Sequence, residues 1–243
     1  GTANSLAREF GLARPNPLHA DFLLEVSQAL ARGRVQAMDV GRCADGRYWL
    51  LWASAGVDGF MVRQIEPRPP WFKRLGAAAY AAKALFVLPQ FRGVQAIVSV
   101  ARETGAGETV ESETVEGEFV LLNVSNCRMF AGGELLLNRE AVLDDGCFEV
   151  WLFQGRDWPQ VVSYVLDIRN AAHLDHPQVR YLRGQRIHIH TTPPIDYHLD
   201  GEPGGVTDLT TVLEPLALRI LVPDSAPPNL FSQPGLALPG VSP

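Results

Sequence analysis

Short runs of β-branched and aromatic residues, separated by glycine turns, make up most of the chain from Gly93 onward. Runs of this kind, roughly four to eight residues long and bounded by turn residues, are typical of antiparallel strands. Two earlier runs, 35–40 and 48–53, flank the turn sequence Cys43-Ala44-Asp45-Gly46 and predict two paired strands. Further strands are predicted at 94–101, 109–115, 118–125, 147–154, 179–182, 185–190 and 217–222.

Helical patterns are fewer. A capped helix is predicted within residues 2–11, where Thr2 or Asn4 can serve as N-cap, and a longer one at 20–32. The second carries apolar residues at core spacing, namely Phe22, Leu23, Val26 and Leu30. With helices at 75–88 and 158–172, residues 34–215 are predicted to form an α+β fold, mainly an antiparallel β-sandwich-like domain with two helices. The proline-rich residues 224–243 predict a disordered tail.

Composition excludes several classes of protein. The chain has 243 residues, 47% of them hydrophobic, and a net charge of -6. This negative charge, together with the lack of a lysine- or arginine-rich block, argues against nucleic-acid binding. The three cysteines are scattered, which predicts no disulfide framework and favours a reducing cytoplasm. No apolar run reaches the ~20 residues that span a bilayer. Because the chain opens at Gly1 without methionine, we expect it to be part of a longer protein.

The acidic stretch from Asp196 to Gly205 is the strongest candidate for chemistry. In an extended chain, side chains of Asp196, His198, Asp200 and Glu202 would share one face. Like charges on one face raise the cost of ionising all of them, so one carboxyl could act as a general base. The proline after Glu202 restricts the backbone beneath that carboxyl. The alternative is an Asp-Gly turn with a solvated acidic tip.

Two further sites have both a functional and a plain interpretation. Asp145, in an Asp-Asp-Gly turn, could bind a hard cation such as Mg²⁺ together with neighbouring carbonyls, or it could simply lie in a turn between strands. Thr2 and Asn4, at the start of a helix, could contact a phosphate or only cap a surface helix.

A basic and aromatic segment lies ahead of the 75–88 helix. Trp71, Phe72, Lys73 and Arg74 suit a shallow contact with a membrane surface, where rings sit among headgroups and cations meet anionic lipid. Docking of these aromatic rings on the protein core is the alternative.

Four short motifs, in their order along the chain, resemble the diacylglycerol kinase catalytic family, and within it the bacterial lipid kinases of the YegS and DgkB type. They are Gly1-Thr2-Ala3-Asn4-Ser5-Leu6-Ala7-Arg8, Gly56-Val57-Asp58-Gly59, Leu143-Asp144-Asp145-Gly146 and Asp200-Gly201-Glu202. Ser5 and Leu6 stand where that family commonly has aspartate and phenylalanine.

The resemblance implies a division of the chain and a set of site residues. Residues 1–33 and 216–223 would be the remainder of an α/β nucleotide-binding domain, and 34–215 the β-rich lipid-kinase domain. Thr2 would contact ATP at the edge of the phosphate site, near Asn4, and Glu202 would accept the proton of the lipid hydroxyl, with Asp200 beside it. Mg²⁺ would be bound by the Asp145 carboxylate and by carbonyls at Val142 and Cys147. The family's glycine-rich phosphate loop would precede Gly1, so we expect this chain alone to be inactive.

The expected function is that of an ATP-dependent lipid kinase. It would transfer the γ-phosphate to a hydroxyl of a diacylglycerol-like or sphingoid lipid, in the cytoplasm or at the inner face of the membrane. A non-catalytic lipid- or nucleotide-binding module of the same fold, or an NAD kinase relative, is the alternative. Nucleic acid is not an expected partner, and a homodimer is compatible with the sequence.

Overall fold

The computed structural model describes residues 4–13, 19–65, 83, 86–103 and 109–237. Over these residues the chain forms one 12-stranded sheet, to which helices are added, and a separate pair of short strands. The neighbouring strands of the sheet run antiparallel. The predicted α+β fold, dominated by antiparallel strands, is therefore confirmed.

The elements are named in chain order. The large sheet contains β1 (Arg34–Cys43), β2 (Tyr48–Trp49), β3 (Trp52–Gly56), β4 (Val94–Glu103), β5 (Thr109–Ser125), β8 (Phe148–Gln154), β9 (Val179–Gly184), β10 (Arg186–Thr192), β11 (Asp196–Leu199), β12 (Glu202–Val206), β13 (Leu209–Val222) and β14 (Leu236–Ala237). The separate pair is β6 (Met129–Phe130) and β7 (Leu135–Leu136). The described α-helices are α1 (Ser5–Glu9), α2 (Phe22–Ala31), α3 (Val57–Ile65) and α4 (Trp158–Arg169), with 3-10 turns at Leu88–Gln90, Ala131–Gly133 and Ala172–Asp175.

The strand order decides where the acidic stretch lies. It is β12-β11-β3-β5-β4-β10-β13-β1-β14, with β8 pairing β5 and β9 away from this path. The hairpin of β11 and β12 therefore forms one edge of the sheet. An edge strand tolerates proline, because one side of its backbone has no ladder partner, and this accounts for Pro203 within β12.

Apolar residues pack on both faces of the sheet. The cluster on one face includes Trp49, whose ring lies 4.6 Å from that of Phe148 and whose Nε1 donates to Thr211 Oγ1 at 2.9 Å. The cluster on the other face lies beneath α3 and α4 and includes Met61 and Tyr164. Because β8 is covered on both sides, its first six residues are all buried rather than alternating.

The long antiparallel pair of β1 and β13 changes register in its middle. Met38 pairs with Leu218 and Val40 with Glu214, so the ladder is interrupted at Asp39. Opposite it, Leu216 has a positive φ of 50°. The predicted domain boundary at 215/216 coincides with this bulge, inside one continuous strand. The assignment of the two sides to separate domains stays a prediction.

Several sequence predictions are corrected by the structure. Residues 109–125 form one 17-residue strand, and Gly117, expected in a turn, pairs with Ala96 inside the sheet. The motif Gly56-Val57-Asp58-Gly59, where no helix is predicted from the sequence, begins α3 at Val57. The predicted helix at 20–32 is present as α2, but its core positions are wrong, since α2 has no buried residue and Leu23 is 75% exposed.

The two helices expected in the β-rich domain have different outcomes. The one at 158–172 is α4, three residues shorter than predicted. The one at 75–88 lies mostly outside the described residues, as does the segment 71–74. None of the helices in the described ranges has the length and apolar character needed to cross a bilayer.

The predicted disorder of residues 224–243 is wrong for residues 224–237. Leu230 is buried, and its carbonyl accepts the N–H of Leu143 at 2.9 Å. The Asp144 carboxylate accepts the N–H groups of Ser232 and Gln233 at 2.5 and 2.9 Å. This segment packs because its few apolar side chains and its backbone amides both find partners on the domain.

We expect Leu230→Ala to destabilise the protein by about 2–5 kcal/mol, because it removes a fully buried side chain. Leu236→Ala is the matched control, since Leu236 is 66% exposed in the same segment, and its effect should stay within about 0.5 kcal/mol. Urea denaturation measures both. Equal, small effects would mean that the segment does not pack in solution.

Candidate functional site

Asp200 and Gly201 form the two-residue turn between β11 and β12. Their φ angles are 50° and 86°, and positive φ at both central positions is the hallmark of the type I′ hairpin turn, which favours Asp-Gly. Leu199 and Glu202 are the paired residues on either side. The Asp-Gly turn expected as the plain interpretation of this stretch is thus present, and it fixes where Glu202 begins β12.

The side chain of Asp200 anchors this turn to the chain before β3. Its Oδ2 accepts the N–H of Leu50 at 2.7 Å, and its Oδ1 accepts those of Leu51 and Trp52 at 2.8 and 3.1 Å. Its own N–H donates to the Trp52 carbonyl at 2.9 Å. With both oxygens engaged, Asp200 is suited to holding the turn rather than to accepting a proton.

Glu202 differs from Asp200 in its hydrogen-bond partners. It is exposed at the start of an edge strand, and among the residues that the structure describes none hydrogen-bonds or pairs with its carboxylate. A carboxylate in this position keeps its lone pairs for a ligand. The fixed turn beneath it limits the directions in which it can point.

Arg47 holds the segment that follows Glu202. Its Nη2 donates to the Tyr197 hydroxyl at 3.0 Å, to Asp45 at 2.6 Å and to the Gly204 carbonyl. Gly204 lies on the Tyr197 ring, and a Cβ there would come within 2.3 Å of it. No sequence pattern pointed to Arg47, because its contacts with Tyr197 and Gly204 join residues 150 and 157 positions apart.

The predicted acidic face does not form as one surface. His198 is 1% exposed and lies under α3, where its Nε2 is 2.7 Å from Asp58 Oδ2. Asp196 is also on this side, with its Oδ1 3.8 Å from Arg63 Nε of α3. The alternation stops at the turn, because positive φ values reverse the chain direction there. The like-charge argument for a general base therefore has no support from the geometry.

Close packing of α3 on β11 explains the glycine in the motif that begins this helix. A Cβ on Gly59 would lie 2.1 Å from the Asp196 carbonyl oxygen, so only glycine lets the helix approach so closely. Tyr197 and Leu199 point to the opposite face and belong to the core, as the sequence predicts.

Helix α1 is fixed by its last residues to the segment that follows β5. The buried Glu9 carboxylate accepts the N–H groups of Arg128 and Met129 at 2.8 and 3.0 Å. Arg8 donates to the Gly132 carbonyl at 2.9 Å. The same stretch contacts the chain that bears the hairpin, since Asn126 N–H donates to the Leu51 carbonyl at 2.8 Å. The end of α1 and the Asp200 turn are therefore attached to neighbouring segments.

The residue at the start of α1 is Asn4, and Thr2 lies outside the described residues. Asn4 takes the N-cap position with φ 51° and makes no side-chain cap hydrogen bond, so the expected capping role is not observed. Its exposed side chain leaves a nucleotide-contacting role as a prediction.

The carboxylate of Asp145 already has partners within the protein. Its Oδ2 pairs with the Arg183 guanidinium, and its Oδ1 accepts the N–H of Cys147 at 3.1 Å. Within the described ranges, no group of three or more His, Cys, Asp or Glu side chains could hold a metal ion. As arranged, this turn does not fit Mg²⁺, whose binding by Asp145 and the carbonyls of Val142 and Cys147 would require Arg183 to release Asp145.

Glu149 explains why Arg183 is available to Asp145. Glu149 is 1% exposed, and burial raises its pKa from 4.5 to about 8. Burial thus favours the protonated form of its carboxyl, which lies 3.7 Å from Arg183 Nε. Asp145 is then the main counter-charge of that arginine.

Glu9 gives this region a pH dependence that can be measured. Burial raises its pKa above the ordinary 4.5, and the two N–H contacts only partly oppose the shift. Stability contributed by the protonated form is present at low pH and is lost as pH rises through the folded-state pKa. We therefore expect the melting temperature of the native protein to fall relative to that of Glu9→Gln as pH increases from about 4.5.

Thermal unfolding of both proteins between pH 4 and pH 8 tests this, with the exposed Glu140→Gln as control. A difference that is constant with pH, or a native protein that gains on the variant as pH rises, would contradict it.

Comparison with known proteins places this geometry in a family. Residues 52–222 match the model of the YegS C-terminal NAD kinase beta sandwich-like domain. The diacylglycerol kinase of Bacillus subtilis (strain 168) is 21% identical over 206 residues, which are 85% of this chain and 61% of the relative. That of Staphylococcus saprophyticus is 24% identical over 207 residues, 84% of this chain and 60% of the relative.

Solved structures agree on the fold. A crystal structure from Bacillus anthracis str. Sterne has a TM-score of 0.66 at 18% identity, covering 93% of this chain and 67% of that one. Another, of a diacylglycerol kinase from the same strain, has a TM-score of 0.56 at 14% identity, covering 93% and 65%. The chain spans about 60% of the length of the curated relatives it matches. The resemblance inferred from four short motifs is confirmed: this chain belongs to the family of the YegS C-terminal NAD kinase beta sandwich-like domain.

Proposed function

We propose that this chain is the acceptor-binding part of an ATP-dependent lipid kinase, in which Glu202 is the proton acceptor. The observation that carries the proposal is the contrast between two acids on either side of Gly201. Asp200 is fixed by three backbone N–H groups, while Glu202 is exposed and unengaged by any described residue at the end of that fixed turn. The names of the relatives, diacylglycerol kinases, support the class of reaction.

The chemistry asked of Glu202 is removal of one proton. A lipid hydroxyl within hydrogen-bond reach gives its proton to the carboxylate as its oxygen attacks the γ-phosphorus of ATP. The new O–P bond forms as the bond from the γ-phosphorus to the bridging oxygen breaks, and ADP leaves. Phosphoryl transfer depends mainly on the positions of the two substrates, so a base on a rigid turn suits it better than one on a mobile loop.

ATP is expected to bind between α1 and a glycine-rich half of the kind that the resemblance implies. Thr2 and Asn4 are proposed at the edge of that phosphate site. Mg²⁺ is proposed to bind together with ATP, where it would offset phosphate charge. The activity thus belongs to a protein that carries this chain together with such a half.

The substrate is proposed to be a neutral lipid with a free hydroxyl, either a diacylglycerol or a sphingoid lipid. Such a substrate lies in a membrane, so the protein is proposed to act at its surface. A kinase that acts on NAD is the competing assignment, since the matched domain is described as NAD kinase-like.

Glu202→Gln should reduce turnover at least ~100-fold if the carboxylate accepts the proton. The assay measures phosphate transfer from labelled ATP to a panel of diacylglycerol, ceramide, sphingosine and NAD, using protein with its phosphate-binding half. Because Glu202 is exposed, the Glu202→Gln protein should keep the melting temperature of the native protein. Glu113→Gln, at an exposed acid on β5, is the matched control. Near-normal turnover of Glu202→Gln would refute the role, and transfer to NAD alone would favour the competing assignment.

The basic and aromatic segment supplies a second prediction. Trp71→Ala/Phe72→Ala should bind vesicles of phosphatidylglycerol and phosphatidylcholine less than the native protein, because it lacks rings that insert among headgroups. Co-sedimentation measures the bound fraction. Tyr48→Ala, at an aromatic residue that is 59% exposed on β2, serves as control. Binding equal to that of the native protein would leave the membrane contact without support from this segment.

A further inference from the structure

His198 joins the turn that carries Glu202 to the first turn of α3. Its Nδ1 accepts the N–H of Gly201 at 3.1 Å, and its Nε2 lies 2.7 Å from Asp58 Oδ2. His198 is 1% exposed, while Asp58 reaches the surface with a fifth of its side chain. One imidazole thus contacts both the Asp200-Gly201 turn and the first turn of α3.

These contacts favour one tautomer of the neutral ring. An Nδ1 that accepts a hydrogen bond carries no proton, so the proton of a neutral ring is on Nε2. Nε2 and Oδ2 are not aligned for a regular hydrogen bond. At 2.7 Å, the protonated Nε2 of this tautomer lies next to the Asp58 carboxylate, which is a favourable electrostatic contact. Asp58 therefore favours the tautomer that lets Nδ1 accept from Gly201.

The ring has little room to move away. Helix α3 packs against β11 without space for a Cβ at Gly59, and His198 lies between the two. The Gly201 N–H belongs to the turn, and no backbone carbonyl is its partner. The Asp-Gly turn is thus held twice, by the Asp200 carboxylate on the side of Leu50 to Trp52 and by the His198 ring on the side of α3.

We propose that His198, oriented by Asp58, is a positioning residue for Glu202. It holds Gly201, which directly precedes Glu202, and so sets the direction of the carboxylate toward the acceptor hydroxyl. This rests on the proposed function of Glu202. The proposal goes beyond that function because it assigns the placement of the base to two residues outside the Asp-Gly-Glu motif.

Two amide variants separate the two contacts of the ring. In His198→Asn the side-chain oxygen takes the place of Nδ1 and can still accept from Gly201, but it does not reach Asp58. In His198→Gln the amide takes the place of Nε2 and keeps the contact with Asp58, but Gly201 loses its acceptor. Both replace a buried imidazole by an amide, so their losses of melting temperature should be similar.

If the ring positions Glu202, kcat of His198→Gln should fall at least ~10-fold below that of His198→Asn, because a small misplacement of a reacting group is costly. The KM for lipid should differ by less than about 2-fold between them, since neither contact holds substrate. Amide hydrogen exchange at 200–202 should be faster in His198→Gln than in His198→Asn. His188→Gln, at a histidine that contacts Thr210 elsewhere in the sheet, should keep native kcat.

The outcomes separate this proposal from the one on which it rests. If Glu202→Gln is inactive but the two His198 variants have equal kcat and equal exchange, the positioning role is overturned and the general base stands. If Glu202→Gln is active, the proposed function fails whatever His198 does. Adding His198→Gln to Glu202→Gln should cause no further loss of kcat, and an additive loss would overturn the link between the two residues.

Discussion

Carboxylates that accept backbone N–H groups hold the irregular segments of this protein in place. Backbone donors outside the sheet need partners when they are buried, and an ionised carboxylate can serve two or three at once. Four carboxylates make such contacts, and each links residues that are far apart in the chain. They are Glu9 with Arg128 and Met129, Asp39 with Gly146 and Leu216, Asp144 with Ser232 and Gln233, and Asp200 with Leu50, Leu51 and Trp52. The positions of α1, the β1–β13 bulge, the C-terminal segment and the hairpin all depend on these contacts.

These links specify geometry at some cost in stability. For Glu9 and for Asp39, burial raises the pKa more than the accepted hydrogen bonds lower it. The charged form is therefore less favoured in the folded protein than in water, and the net gain from each contact is small. What the contacts contribute is a defined arrangement, because few other conformations satisfy the same amides.

The candidate site uses the same device to give two neighbouring acids different tasks. Asp200 is saturated with N–H donors, whereas Glu202, two residues later, is exposed beyond the turn that Asp200 and His198 fix. These two chemically similar side chains thus have different roles because their surroundings differ, as is common in active sites that contain two carboxylates. In the proposed reaction this leaves a free carboxylate on a rigid support.

Local features of the sequence were sufficient for the elements that they govern. β1 and α4 were predicted within a few residues, because strand and helix patterns there agree with their burial. The Asp200-Gly201 turn was anticipated because only a few residue pairs tolerate positive φ twice. Gly117 was misread as a turn, since a glycine in a strand looks the same until a partner strand is known.

By itself, the sequence determined the α+β class, the order of the family motifs and the candidacy of Glu202, since residue type and local pattern carry that information. It did not determine that Asp145 pairs with Arg183, that His198 lies under α3, or that residues 224–237 pack on the domain. Those outcomes depend on contacts between residues tens to over a hundred positions apart. Only the folded sheet decides them, because it fixes which remote charges and amides meet.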